Sequence, residues 1–238
     1  MKDFTEQEIS IQRKYYAETA QKYEDTHVNE NDEHFFALSF MLSILELLEI
    51  KSILDIGSGT GRTVKYIKKY RPEIKILGIE PVPELRNIAY SQGISKKEVI
   101  PGDATNLLFK NNEFDLVCEF GVLHHIRYPE IAVSEMLRVA KKSIFISDDN
   151  YLGHGSFLTR LTKYFLECLG LWKAAHLIKT KGKGYTISEG DGLSYPYSVF
   201  NNYQQIKKQC RKIHLLNTKN SNINLYRTAS HIALLGIK

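Results

Sequence analysis

Residues 53–61 read Ile-Leu-Asp-Ile-Gly-Ser-Gly-Thr-Gly, an apolar run that breaks into glycine at every second position. Ile53, Leu54 and Ile56 suit a short strand buried on both faces, whereas Gly57, Gly59 and Gly61 can continue neither that strand nor a helix. Beyond Thr60, Val64, Ile67 and Lys68 return at near-helical spacing. The loop should therefore open a helix, whose first backbone N–H groups attract negative charge. Strand, tight turn and helix together make a site for a nucleotide or small anion. A dinucleotide fingerprint would need glycine where Arg62 stands, and a phosphate-binding P-loop would need Gly-Lys-Ser/Thr. Asp55, two residues before the first glycine, would repel a pyrophosphate and suits a ligand carrying an ammonium group.

The pattern D-x-G-x-G-x-G at Asp55–Gly61 resembles the first motif of the class I S-adenosylmethionine-dependent methyltransferases, whose ligand joins an amino acid to a nucleoside. Later segments follow in the order that resemblance expects. Residues 74–80 form a second apolar run ending in Glu80, where a carboxylate can accept from both ribose hydroxyls. A strand-end acid facing water is the plainer alternative. Pro83 to about Gln92 suits a helix stopped by Gly93, and residues 98–100 a short strand leading to Gly102-Asp103-Ala104. In the family this stretch faces the adenine, although Asp103 could equally cap the following turn. Phe-Asp-Leu-Val at 114–117, followed by Val-Leu-His-His-Ile at 122–126, resembles the fourth motif of the branch that includes ubiquinone-type and sugar methyltransferases. The resemblance implies S-adenosyl-L-methionine as cofactor. It places Tyr16, Tyr23, Asp55, Gly57, Ser58, Gly59, Gly61, Glu80, Pro81, Asp103, Ala104 and Glu119 around it.

Alternating strands and helices with short links imply an α/β, doubly wound parallel sheet. The family fold is Rossmann-like and seven-stranded. Its last strand is antiparallel, which residues 212–216 and 230–236 would supply as a closing pair. The chain then divides into an N-terminal helical cap (1–50), a cofactor-binding core (51–150), a substrate-binding insertion after the fifth strand (151–211) and the closing strands (212–238). In the cap, Tyr15, Tyr16, Ala20 and Tyr23 share a helix side and residues 36–48 form a second apolar stripe. The first of these resembles the lead-in helix that covers the cofactor in small-molecule methyltransferases, although aromatic packing on a core would produce the same pattern. Residues 156–178 of the insertion suit helix with one apolar side. Residues 179–197 are rich in Gly, Lys and Tyr, as expected of a lid or binding element.

Composition narrows the setting. Cys118, Cys168 and Cys210 are odd in number and lack CxxC spacing, which argues against a disulfide framework and a structural zinc site. The first six residues are too polar for a secretory signal, and residues 38–50, interrupted by Glu46 and Glu49, are too short for a bilayer span. A cytoplasmic setting is expected. The net charge of +5 is uneven, because residues 160–219 hold eleven Lys and Arg against three acids. That segment could grip RNA or a phosphorylated or nucleotide-linked small molecule, or simply present a solvated lysine face.

Methyl transfer from a sulfonium is an in-line displacement that depends on alignment, and a hydroxyl acceptor also needs something to take its proton. His124, His125 and His154 are the catalytic candidates, and adjacent side chains on a turn diverge, so at most one of the first two should face the substrate. No metal is expected without a third clustered ligand. Glu-Phe-Gly-Val at 119–122 replaces the Asn/Asp-Pro-Pro-Tyr of enzymes that methylate exocyclic base amines. The expectation is a methyltransferase acting on a small molecule, at a hydroxyl of a sugar or polysaccharide precursor. An RNA methyltransferase or a non-catalytic binding scaffold is the alternative, and the intact Asp55, glycines and Glu80 speak against the scaffold.

Overall fold

The computed structural model describes residues 2–24, 32–219 and 224–238. Its first helix, α1 (Lys2–Thr19), passes through a 3-10 turn at Ala20–Lys22, and α2 (Glu33–Ile44) begins where the Asp32 side chain accepts the Phe35 N–H. The helical stripe expected to reach residue 48 thus ends at Ile44, and residues 25–31 of the expected cap lie outside the described residues.

The core alternates as its hydrophobic runs require: β1 (Ser52–Ile56), α3 (Arg62–Tyr70), β2 (Lys75–Ile79), α4 (Pro83–Ser91), β3 (Val99–Ile100), β4 (Phe114–Phe120), α5 (Pro129–Val139) and β5 (Ala140–Asp149). Pro83 and Pro129 each occupy the first helical turn, where the missing N–H costs nothing. After β5 come α6 (Phe157–Cys168), α7 (Trp172–Lys179), the hairpin β6 (Thr186–Ser188) and β7 (Gly192–Ser194), and α8 (Tyr203–Lys207). The chain closes with β8 (Lys212–Asn217) and β9 (His231–Ile237).

Seven strands form one sheet in the order β3-β2-β1-β4-β5-β9-β8, parallel except for β9, which runs antiparallel to both neighbours. This is the Rossmann-like sheet with a reversed last strand. Strand periodicity splits the core into two layers. Ile53, Leu116, Cys118, Phe145 and Ala233 point to the face covered by Ala37, Leu38 and Met41 of α2. Leu54, Val117, Ile144, Ile146 and Leu234 point to the face covered by Val133, Met136 and Leu137 of α5. With helices on both faces the central strands are buried throughout, so they read as apolar runs rather than alternating ones.

The β1–α3 turn is built on positive φ angles at Gly57 (65°), Gly59 (55°) and Gly61 (86°). Gly61 caps α3, and a Cβ there would stand 2.1 Å from Ile94 Cδ1, so its role is to let the turn close against the loop after α4. Helix α1 lies over this end of the sheet, with Tyr16, Ala20 and Tyr23 against Val82 and Leu85. The β6–β7 hairpin fastens α1 from outside: Gln12 Oε1 accepts the Leu193 N–H at 2.5 Å, and the Tyr15 hydroxyl donates to the Glu189 carbonyl at 2.7 Å.

The apolar side expected for residues 156–178 is present but faces outward. Helix α6 turns its polar side to the body, through Tyr151–Glu167 and through Lys163 to the carbonyls of Tyr151 and His154, and no residue of α6 or α7 is buried.

Candidate cofactor and acceptor site

A cavity of about 270 Å³ opens at the carboxyl ends of β1, β2 and β4 beneath α1, the place where an open α/β sheet leaves its crevice. Tyr23, Gly57 and Phe120 also border a second, small cavity of about 20 Å³ that holds Asp55, Ser58 and Thr63. Tyr23 stands between the two. A Cβ on Gly59 would meet its hydroxyl at 2.8 Å, so only glycine admits this ring over the loop.

Asp55 and Glu80 are the buried carboxylates of the site. Burial pushes Asp55 up to about 6, against the pull of Ser58, whose hydroxyl donates to Oδ2 at 2.7 Å. Glu80 is likewise raised by burial, to about 7, although Oε2 accepts the Gly59 N–H at 3.0 Å and Oε1 the Val82 N–H at 2.8 Å. These two bonds tie the end of β2 to the glycine turn and hold the carboxylate at the cavity wall. Pro81, Asp103 and Ala104 extend the wall, with Ile79, Val82 and Ile126 supplying apolar surface. Asp103 takes the capping role and adds an ion pair at the cavity wall. Oδ1 caps the turn by accepting the Thr105 N–H at 2.9 Å, while Oδ2 meets Arg13 of α1 at 3.0 Å across the cavity mouth.

Glu119, expected near the cofactor, is fully buried beneath the cavity. Its Oε2 accepts the Val122 N–H, its Oε1 has no partner, and burial followed by the neighbouring Asp148 pushes its carboxyl well above the usual range.

The three candidate histidines part company. His125 reaches the cavity. Its Nδ1 lies 2.7 Å from the Leu193 carbonyl and 3.0 Å from the Gln12 amide nitrogen, and its Nε2 meets the Tyr16 hydroxyl at 2.9 Å. His124 is held behind it between two carboxylates, Nδ1 2.7 Å from Asp148 and Nε2 3.2 Å from Asp191. Burial opposes charge on this ring, but Asp148 and then Asp191 outweigh it and hold its pKa well above the ordinary value. His154 is outside the cavity, because the 3-10 turn at Tyr151–Gly153 carries it toward Asp149 (3.5 Å) and the carbonyl of Ser230 (3.2 Å).

Asp191, from the β6–β7 turn, stands 3.4 Å from His125 Nε2 as well as beside His124, and the two rings drive its pKa well below the carboxylate range despite burial. Asp191, 66 residues beyond His125, thus adds a third potential ligand atom to the His124-His125 pair, a cluster that the sequence does not show. Gln12, Arg13, Arg127 and Tyr195 also line the cavity and were not singled out from sequence. Arg127 and the Tyr195 hydroxyl (2.8 Å) both bind Glu8 of α1, closing the side of the cavity with an ion pair.

The family described as Methyltransferase domain matches residues 54–146, which hold the glycine turn, Glu80, Asp103 and the His124-His125 loop. Residues 54–146 are a class I S-adenosylmethionine-dependent methyltransferase domain. Over 94 residues, 38% of this chain and 32% of the relative, the domain is 37% identical to norajmaline N-methyltransferase of Rauvolfia serpentina. An uncharacterized methyltransferase of Schizosaccharomyces pombe is 30% identical over 144 residues, 56% of this chain and 50% of that one. The chain thus spans half or less of the length of these two curated relatives. Among solved structures, an S-adenosylmethionine-dependent methyltransferase from Thermotoga maritima superposes with a TM-score of 0.57 at 20% identity, covering 94% of this chain and 99% of that one. A protein from Pyrococcus horikoshii gives 0.61 at 15% identity, over 94% and 99%. These two likenesses are of fold. The residues of the methyltransferase domain also fit the cofactor chemically. Buried acids near neutrality, Asp55 and Glu80, suit an ammonium group and ribose hydroxyls, and the apolar wall from Ile79 to Ala104 suits a purine ring.

Proposed function

We infer that the chain transfers a methyl group to a small-molecule acceptor, at a hydroxyl. The observation that carries this reading is the Tyr16–His125–Asp191 array at the cavity wall. With its proton on Nδ1, toward the Leu193 carbonyl, His125 would offer Nε2 as a base beside the Tyr16 hydroxyl, and Asp191 lies where it would stabilise the imidazolium formed on taking a proton. Bound S-adenosylmethionine would supply an electrophilic methyl on sulfur. The chain's own work is to hold the nucleoside end against Glu80 and Asp103, exclude water with α1, and accept the acceptor's proton at His125 Nε2, directly or through the Tyr16 hydroxyl.

The polar side chains of Gln12, Arg127 and Tyr195 at the otherwise apolar cavity support a hydroxyl-bearing acceptor, and a sugar or polysaccharide precursor is the class favoured by the His-His motif. Calorimetry with S-adenosylhomocysteine tests the first half: no binding at high micromolar ligand overturns it. Screening sugar nucleotides and simple polyols for methylation tests the second, and turnover restricted to amine acceptors would replace the hydroxyl with nitrogen.

A further inference from the structure

Helix α6 is built inside out. An amphipathic helix ordinarily turns its apolar stripe to the body, but α6 docks through Lys163, Glu167 and Tyr164, the last under the Arg227 guanidinium at 4.3 Å. Phe157, Leu158, Leu161, Phe165 and Leu169 share the opposite side of the helix, and Phe157, Leu158 and Phe165 are 69%, 71% and 61% exposed. Helix α7 also exposes Leu177 and Ile178, the latter 81% exposed. The inversion is anchored from within: Trp172 stacks on Tyr151 at 5.1 Å, so the one tryptophan holds the hairpin to the body and the smaller apolar residues are left to water.

Large apolar side chains exposed together on one side of a helix mark a contact surface. Its flanks say which. Between Phe157 and Gly184 the chain carries six Lys and Arg (160, 163, 173, 179, 181 and 183) against one acid, Glu167, and Glu167 is turned inward onto Tyr151. Lys173, Lys179, Lys181 and Lys183 are exposed beside the apolar face. Phe and Leu on one side with a fringe of lysine is the composition of a helix that lies in the plane of an anionic bilayer. A second copy of the chain fits poorly, since joining two such faces would bring both lysine fringes together. No helix among the described residues is long and apolar enough to cross a membrane.

We propose that the α6–α7 hairpin seats the protein on an anionic lipid surface, with Phe157, Leu158, Leu161, Phe165 and Ile178 in the headgroup layer and the neighbouring lysines on the lipid phosphates. The segment following α7 runs to the cavity: the Lys183 carbonyl accepts from Arg127, and Asp191 and Tyr195 follow it.

Flotation of the full chain with vesicles of phosphatidylcholine alone, and with phosphatidylglycerol added, tests this. The expected result is recovery with the anionic vesicles, weakened by salt, and about a tenfold loss of bound fraction in Phe157→Ser/Phe165→Ser. Because neither side chain is buried, the double variant should keep its circular dichroism and its binding of S-adenosylhomocysteine, which shows that the loss is not unfolding. Lys179→Glu/Lys181→Glu should lose binding to the anionic vesicles alone. No recovery with either vesicle, equal recovery of the serine variant, or a concentration-dependent dimer in sedimentation velocity that the serine variant abolishes would each overturn the proposal.

Discussion

Glu80 accepts the Gly59 backbone N–H at 3.0 Å, so the carboxylate at the end of β2 is fastened to the glycine turn after β1. Burial nevertheless holds Glu80 up to about 7 and Asp55 up to about 6, so both take up protons in the pH range where the protein would work. Both values lie above those of an unfolded chain, so these two groups stabilise the empty protein most at low pH and that stability is lost as pH rises toward 7. Ligand binding has the opposite sign, because an ammonium group and ribose hydroxyls favour the ionised carboxylates. Affinity for S-adenosylhomocysteine should therefore rise by about tenfold between pH 5.5 and 7.5, with protons released on binding. Calorimetry in buffers of different ionisation enthalpy measures both. Glu80→Gln should remove the step near 7 and leave the one near 6.

His125→Ala should lower kcat by roughly 10²–10⁴-fold while leaving cofactor affinity within a few fold. Tyr16→Phe keeps the ring that packs on Tyr23 but removes the hydroxyl at 2.9 Å from Nε2, so its effect should also fall on kcat. Single-turnover measurements at saturating cofactor separate the two effects.

His124→Ala should act through stability instead. It would leave the fully buried Asp148 with only the backbone N–H groups of Leu123 and Asp149, and removing one partner of a buried ion pair costs about 3–5 kcal/mol. Urea denaturation should show a lower midpoint. Raising pH does the same more gently in the native protein, because a histidine held above its ordinary pKa contributes stability that is lost as pH climbs through its folded value.

Gly61→Ala should destabilise by about 1–3 kcal/mol, through strain at a φ of 86° and the collision with Ile94 Cδ1. Gly93→Ala is the control. It has a similar φ of 90° with nothing within 4 Å of the added Cβ, so the difference in thermal midpoint between the two isolates the steric part.

What could be read from the sequence was what the backbone dictates locally. The glycines at 57, 59 and 61 mark a turn because few other residues tolerate those angles, and Asp55 and Glu80 announce themselves by sitting at strand ends. Gln12, Arg127 and Tyr195 could not be read that way, since Gln12 meets Leu193 across 181 positions and Glu8 meets Tyr195 across 187. Asp191 carried a weak signal, an acid between Gly190 and Gly192 in a turn-rich insertion, but its pairing with His124 exists only after the hairpin folds back. His154 misled for the converse reason. It follows β5 closely in sequence, yet a single 3-10 turn swings it away from the cavity. Periodicity at 156–178 revealed an apolar face without revealing its direction, because the same stripe serves a core or an external contact.

Strand β9 lies between β5 and β8 and pairs with both along its length. During synthesis, a chain that has left the ribosome as far as Asp149 can wind its parallel strands around β1, but the edge of β5 stays bare until His231 and the residues after it emerge. Such an edge is a template for pairing with other chains, and the distant contact that covers it is slow to form. Solubility of the newborn protein therefore rests on how soon its last strand can reach the middle of a sheet that was begun much earlier.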